Sequence, residues 1–124
     1  MRVNLGHLYE SHAALERLKR TELPARLAFK VARNLRILET EIADIEKQRM
    51  VIVSKHGKRS EDDPGKWLVQ PEDTAAFRAE IDELFAAEIE MSLTPLRFDD
   101  LPDGLSITPA DALALSYLVV DGDE

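Results

Sequence analysis

The longest pattern in the sequence is an amphipathic repeat that runs from about Pro24 to about His56. Its apolar residues recur three and four positions apart, which is the spacing of one face of an α-helix. At about 1.5 Å per residue such a helix is roughly 50 Å long, which exceeds what a domain of this size needs for its own core. The apolar stripe comprises Leu27, Ala28, Val31, Leu35, Leu38, Ile42, Ile45 and Ile52.

A shorter amphipathic segment precedes the long helix. Asn4 is a suitable N-cap for a first helix of about residues 5–20. Thr21 and Pro24 then mark a break and a restart, because proline is tolerated in the first turn of a helix but not in its interior.

Two further helices are predicted in the second half of the chain. Pro71 opens a helix of about residues 72–88, in which apolar residues again share one face. Thr108 and Pro109 begin a final helix of about residues 109–119 with a hydroxyl cap and a proline in the first turn. Because this last helix is nearly all apolar, we expect it to be buried against the long helix.

Two short strands complete the predicted elements. Gly57 ends the long helix, and residues 58–65 are predicted to form a polar loop with Pro64-Gly65 as its turn. The segment Trp67–Val69 is predicted to be a strand. Residues 88–93 alternate apolar and polar side chains, which is typical of a half-buried strand, and we expect them to pair with Trp67–Val69.

These elements predict a mainly α, α+β fold in a single domain of residues 1–124. The long helix is expected to pack antiparallel with the shorter helices, beside a small two-stranded β-ribbon. Because its apolar stripe extends further than the shorter helices can cover, we predict self-association, or burial against a partner protein, through this helix. The candidate partner-binding residues are Leu35, Leu38, Ile42, Ile45 and Ile52.

The charge distribution adds a second candidate surface. The chain has 16 Lys and Arg against 24 Asp and Glu, a net charge of −8, yet half of the basic residues lie within residues 1–36. Arg26, Lys30 and Arg33 step by four and three along one face of the long helix, a spacing with which cations can follow a phosphate backbone or another anionic partner. We identify no aromatic residue interleaved with them for base stacking, and the net negative charge repels a polyanion. Nucleic acid is therefore the disfavoured partner.

Residues able to carry chemistry are sparse. The chain has no cysteine, which excludes disulfides, thiolate metal sites and cysteine nucleophiles. His7, His12 and His56 are spaced as solvated or helix-capping residues, and the acidic clusters at 61–63 and 99–103 lack the alternating register of a calcium loop. The sequence predicts no catalytic residue, no metal site and no cofactor, so we expect that the protein is not an enzyme.

Several segments in order resemble a family of small helical tailed-bacteriophage proteins. These segments are Glu-Leu-Pro-Ala-Arg-Leu-Ala-Phe-Lys-Val-Ala-Arg-Asn-Leu at 22–35, the helix break at His56-Gly57, Trp67-Leu68-Val69, the helix end at 83–91, and Leu-Ser-Ile-Thr-Pro at 105–109 before an apolar helix. The family has no known function and is encoded in the late structural region, often between tail and lysis genes. The resemblance implies a phage-encoded interaction protein and brings no active-site residues with it.

We therefore expect a non-enzymatic, phage-encoded protein that binds another protein, as a virion component, an assembly factor or a modulator of a host protein. That partner is a second copy of the chain, a phage protein or a host protein. The alternative is a small regulator that binds nucleic acid or the transcription machinery through the basic first third. No apolar run reaches the roughly 18 residues of a membrane span, and the N-terminus lacks the apolar core of a signal peptide. We expect no membrane partner, and a location in the host-cell cytoplasm or in the virion.

Overall fold

The structure, a computed structural model, describes residues 1–63 and 65–120. It has the mainly α, α+β fold that the sequence predicts, built on one long helix. In chain order the elements are β1 (Arg2–Asn4), α1 (Leu5–Glu10), α2 (His12–Lys19), α3 (Ala25–His56), β2 (Gly57–Arg59), β3 (Trp67–Val69), α4 (Thr74–Ala86), β4 (Glu88–Glu90), β5 (Leu96–Arg97), α5 (Pro109–Ala114) and β6 (Val119–Val120). Residues 121–124, at the end of the predicted domain, lie outside the described residues.

Helix α3 confirms the predicted long helix almost to the residue. Pro24 lies immediately before it, and the N–H of Gly57 donates to the carbonyl of Val53 at its end. The shorter helices α1, α2 and α4 pack against it. Its apolar face and residues from the surrounding elements form one core, which contains Val3, Leu5, Leu8, Ala14, Leu15, Leu27, Val31, Leu35, Leu38, Ile42, Ile45, Met91, Leu93, Leu96, Leu115 and Leu118.

The prediction of one helix over 5–20 was wrong, because the helix is interrupted at Ser11. Asn4 is the predicted N-cap, and its Oδ1 accepts the N–H of His7 at 2.9 Å. The N–H of Ser11 bonds the carbonyls of both His7 and Leu8, and its Oγ donates to the Leu8 carbonyl at 2.7 Å. A serine hydroxyl that bonds the preceding turn competes with the helical ladder. The chain therefore turns between α1 and α2.

Strand β3 is confirmed, but its predicted partner was wrong. Strand β3 pairs antiparallel with β2, with Arg59 opposite Trp67. The predicted loop after the long helix therefore begins as a strand, and Pro64, part of the predicted turn, lies outside the described residues. Strand β4 instead pairs antiparallel with β1, with Val3 opposite Ile89. Strands that are close in sequence pair more often than distant ones. Strand β2 is closer in sequence to β3 than β4 is, so β2 is the favoured partner.

The final helix is shorter than predicted, and it does not lie buried along α3. Thr108 caps α5 by accepting the N–H of Asp111, as its sequence indicates, but the helix ends at Ala114. A turn then leads to β6, which pairs parallel with β5. Helix α5 packs against α1, and the side chain of Leu113 is 74% exposed. The β-branched residues Val119 and Val120 favour this strand ending over a continued helix.

Asn34 is a polar residue on the buried face of α3, and it positions the segment before β5. Its Nδ2 donates to the carbonyl of Thr94 at 2.7 Å, and its Oδ1 accepts the N–H of Thr94 at 2.9 Å. Both backbone groups of Thr94 are thereby paired outside any strand. This contact fixes where the chain enters β5 and the loop that follows.

Candidate functional site

The predicted partner-binding stripe lies in the core of the chain itself. Leu35, Leu38, Ile42 and Ile45 are buried, and Ile52 is half-buried. The apolar stripe that motivated the prediction is therefore largely covered, because α1, α2 and α4 pack against α3. These residues hold the monomer together, and self-association through them stays a prediction without an exposed surface to support it.

The predicted basic residues of α3 lie nearer the surface than the apolar stripe does. Arg26 and Arg33 are exposed and Lys30 is half-buried. Among the described residues, no carboxylate forms a salt bridge with any of the three. By contrast, Arg17 forms two hydrogen bonds with Asp111, which raise the Arg17 pKa and lower the Asp111 pKa.

An aromatic residue does lie among these cations, so the prediction that none is interleaved with them was wrong. Phe29 follows Arg26 by three positions and precedes Arg33 by four, which places all three on one helix face. Its side chain is 69% exposed. The sequence could have indicated this exposure, because Phe29 lies off the apolar stripe of the helix. We call the surface formed by Arg26, Phe29, Lys30, Arg33 and Arg36 the basic face.

A second exposed feature is a cavity of about 260 Å³ between α2, the β5–β6 pair, α5 and the loop after β5. Phe98 and Ile107 line it and are 61% and 49% exposed, so the cavity opens to solvent beside them. We call it the apolar pocket, and it is lined by Leu18, Leu96, Phe98, Leu101, Leu105, Ile107, Ala112, Leu115, Ser116, Leu118 and Val119.

Two tight turns position the residues at the mouth of the apolar pocket. The N–H of Leu101 donates to the carbonyl of Phe98 at 3.1 Å, and the N–H of Leu105 donates to the carbonyl of Pro102 at 3.0 Å. The floor is held by the β5–β6 pair, whose first bond joins the N–H of Leu96 to the carbonyl of Leu118 at 2.7 Å. A neighbouring cavity of about 370 Å³ shares four of the same lining residues.

Carboxylates lie beside the mouth of the apolar pocket, because Asp99 and Asp103 line the neighbouring cavity that shares four residues with it. Asp99, Asp100 and Asp103 are exposed and belong to the same loop. None of them forms a salt bridge with a cation of the described residues. The mouth therefore combines apolar side chains with local negative charge, which the sequence indicated only as solvated loop charge.

A larger groove elsewhere on the described part of the chain has a different character. It has a volume of about 610 Å³ and runs between α2 and the first half of α3. Lys19 and Glu39, on its two sides, form a salt bridge of 2.9 Å, and Arg36 also lines it. Since this ion pair already joins the two walls, the apolar pocket is the better candidate for binding a side chain.

The histidines and the remaining shifted groups take part in structural contacts. His7 Nε2 lies 3.1 Å from the carbonyl of Ala114, and His56 Nε2 lies 2.7 Å from Glu80 Oε2. Hydrogen bonds from Arg49 and Tyr9 lower the pKa of Glu46 to about 2. Within residues 1–63 and 65–120, no group of three or more His, Asp or Glu is arranged to hold a metal ion.

Comparisons with models of protein families, with curated proteins and with solved structures found no match. The resemblance to tailed-phage proteins therefore stays an expectation. In the part of the chain that the structure describes, no helix is long and apolar enough to cross a membrane.

Proposed function

We propose that this chain is a non-enzymatic protein that works by binding another protein, and that the apolar pocket is where it binds. The observation that carries the proposal is the open, almost wholly apolar cavity with Phe98 and Ile107 exposed at its mouth. Exposed apolar surface beside a formed cavity is unfavourable in water and is typical of interaction sites. A phage protein of the late structural region, acting as a virion component, an assembly factor or a modulator of a host protein, agrees with this proposal.

The size of the apolar pocket suits a protein side chain. A cavity of about 150 Å³ lined by aliphatic and aromatic side chains is large enough to bind benzene. The apolar pocket, at about 260 Å³, therefore has room for an aromatic or large aliphatic side chain. Anchoring by one such side chain, surrounded by polar contacts, is how many protein interfaces obtain most of their affinity.

Site-specific photo-cross-linking in the producing cell tests this function. A photoreactive phenylalanine analogue replaces Phe98 at the mouth of the pocket, and the control carries it at Leu68, which is 54% exposed on β3. We expect a discrete cross-linked protein from position 98 that is absent from position 68. No cross-linked protein from position 98, or the same products from both positions, contradicts the proposal.

Binding of nucleic acid is the second candidate, and Phe29 is the observation that favours it. An exposed aromatic ring between two arginines can stack on a base while the arginines contact phosphates. The net charge of −8 opposes it, because a polyanion is repelled by the rest of the surface. The interaction protein therefore remains the proposed function.

A further inference from the structure

Phe29 and the apolar pocket are complementary surfaces on the same chain that do not meet within it. Phe29 is 69% exposed and is not among the residues that line the pocket. A phenylalanine this exposed, on the face of a helix turned away from the core, buries little apolar surface in the monomer. Phenylalanine and arginine are, however, enriched at protein interfaces.

The charges on the two surfaces are also complementary. The basic face presents Arg26 and Arg33 on either side of Phe29, and these arginines form no salt bridge with the described residues. Asp99 and Asp103 line the neighbouring cavity beside the mouth of the apolar pocket, and Asp100 belongs to the same exposed loop. None of these carboxylates forms a salt bridge with the described residues. A negative patch beside an apolar cavity matches a positive patch around an apolar side chain.

From this match we infer that the occupant of the apolar pocket is a second copy of this chain, which inserts Phe29 while its arginines contact the pocket carboxylates. The inference rests on the proposed function, since it names the partner of the same pocket. Each copy then donates one basic face and receives another in its own pocket. Such a contact joins two different surfaces, and where each pair of copies forms it only once it is head-to-tail and builds rings or open chains.

Sedimentation velocity of the full chain over a range of concentrations gives the first test. We expect species larger than a dimer to grow with concentration, because an open dimer keeps one unused basic face and one unused pocket. The association should weaken at about 1 M NaCl, where the Debye length falls to about 3 Å. A wild-type chain that stays monomeric at all concentrations overturns the inference.

Two variants, each lacking one surface, give the decisive test. The face variant carries Arg26→Glu, Phe29→Ser and Arg33→Glu and keeps the pocket intact. We expect it to be monomeric alone, with the circular dichroism of the wild type, because all three residues are exposed. Association as strong as that of the wild type excludes the basic face from the contact.

The pocket variant carries Asp99→Lys, Asp103→Lys and Ile107→Ser and keeps the basic face intact. It too is expected to be monomeric alone, and an equal mixture of the two variants should form a dimer that grows no further. Val51→Ser, at a residue 64% exposed in the second half of α3, is the control and should associate as the wild type does. A mixture that stays monomeric while both variants are folded overturns the head-to-tail contact.

The outcomes separate this inference from the proposed function. If the cross-linked product from position 98 contains a different protein and the wild-type chain is monomeric, the pocket binds a partner but not a second copy. If neither self-association nor any cross-linked product is found, both the inference and the proposed function fail.

Discussion

Two buried polar side chains, Ser11 and Asn34, bond backbone groups at points where regular secondary structure is interrupted or absent. Ser11 Oγ bonds the carbonyl of Leu8 and lies 2.8 Å from the hydroxyl of Tyr117, so it joins the α1–α2 turn to the C-terminal turn. Asn34 pairs both backbone groups of Thr94. Leaving a buried polar group unpaired costs about 1–3 kcal/mol, so these residues select one path for the chain.

Glu46 gives a prediction for the dependence of stability on pH. Its carboxylate accepts hydrogen bonds from Arg49 and from Tyr9, which lower its pKa from 4.5 to about 2. Because the folded-state pKa is lowered, the stabilisation is fully present above pH 4.5 and is lost as the pH falls toward 2. The side chain is partly exposed, so the effect is about 0.2–1 kcal/mol.

Urea unfolding of wild-type protein and of Glu46→Gln at several pH values checks this expectation. The wild type should be the more stable of the two above pH 5, and the difference should shrink between about pH 4.5 and 2. Glu41→Gln, at a carboxylate that forms no salt bridge with the described residues, is the matched control. A wild-type advantage that is unchanged at pH 2 contradicts the assignment.

At the scale of elements, α3 has two faces with separate roles. One face carries Leu38 and Ile42 into the core, and the opposite face carries Phe29 between two arginines. The sequence located the helix and its buried face, but it did not show that other elements of the chain cover the residues predicted to bind a partner. An apolar stripe does not show whether other elements of the same chain cover it.

Reversing the charge of the basic face distinguishes the protein-binding function from the nucleic-acid-binding function. Changing Arg26, Lys30 and Arg33 to Glu should leave binding to DNA and RNA undetectable, as we also expect of the wild type near physiological salt. The reason is the net charge of −8, which repels a polyanion. Fluorescence anisotropy with labelled single-stranded and double-stranded DNA and RNA measures this binding.

Wild-type binding that falls steeply with salt and is lost in the triple variant would instead support the nucleic-acid regulator. In that case Phe29→Ala should weaken binding to single strands by about 1–3 kcal/mol, since one stacked base is lost. Val51→Ala shortens a similarly exposed apolar side chain on the same helix and should leave such binding unchanged.

The sequence predicts a structural feature well when the residues that determine it are close together in the chain. Pro24 and Gly57 are local signals, and they located the ends of α3 correctly. The pairing of β4 with β1, and of β6 with β5, depends on contacts between segments far apart in the chain. The apolar pocket is formed by several such segments, so no single stretch of sequence indicates it.

At the scale of the whole molecule, the C-terminal elements join parts of the chain that are distant in sequence. Asp111 on α5 bonds Arg17 on α2 through both carboxylate oxygens. The carbonyl of Ala114 lies within bonding distance of His7, and Leu118 lies in the core. Residues 109–120 therefore close the fold and also form one side of the apolar pocket.

Removing residues 109–124 should abolish cooperative unfolding. Leu115 and Leu118 are buried, and each contributes roughly 1.5–3 kcal/mol, out of a total stability of about 5–15 kcal/mol for a domain. A thermal melt followed by circular dichroism measures the loss, with Leu113→Ser as a control at an exposed residue of the same helix. A truncated chain that melts cooperatively near the full-length temperature would show that this segment is detachable.

The pairing of β1 with β4 has a consequence for how the chain folds during synthesis. Helix α3 depends on contacts between near neighbours and forms early, whereas Val3 meets Ile89 only after most of the chain has been made. Until then the apolar face of α3 lacks the cover supplied by Met91, Leu93, Leu96 and Leu118. The nascent chain is therefore most prone to aggregation just before its last third leaves the ribosome. Synonymous codons that slow the translation of this last third should lower the soluble yield of the protein.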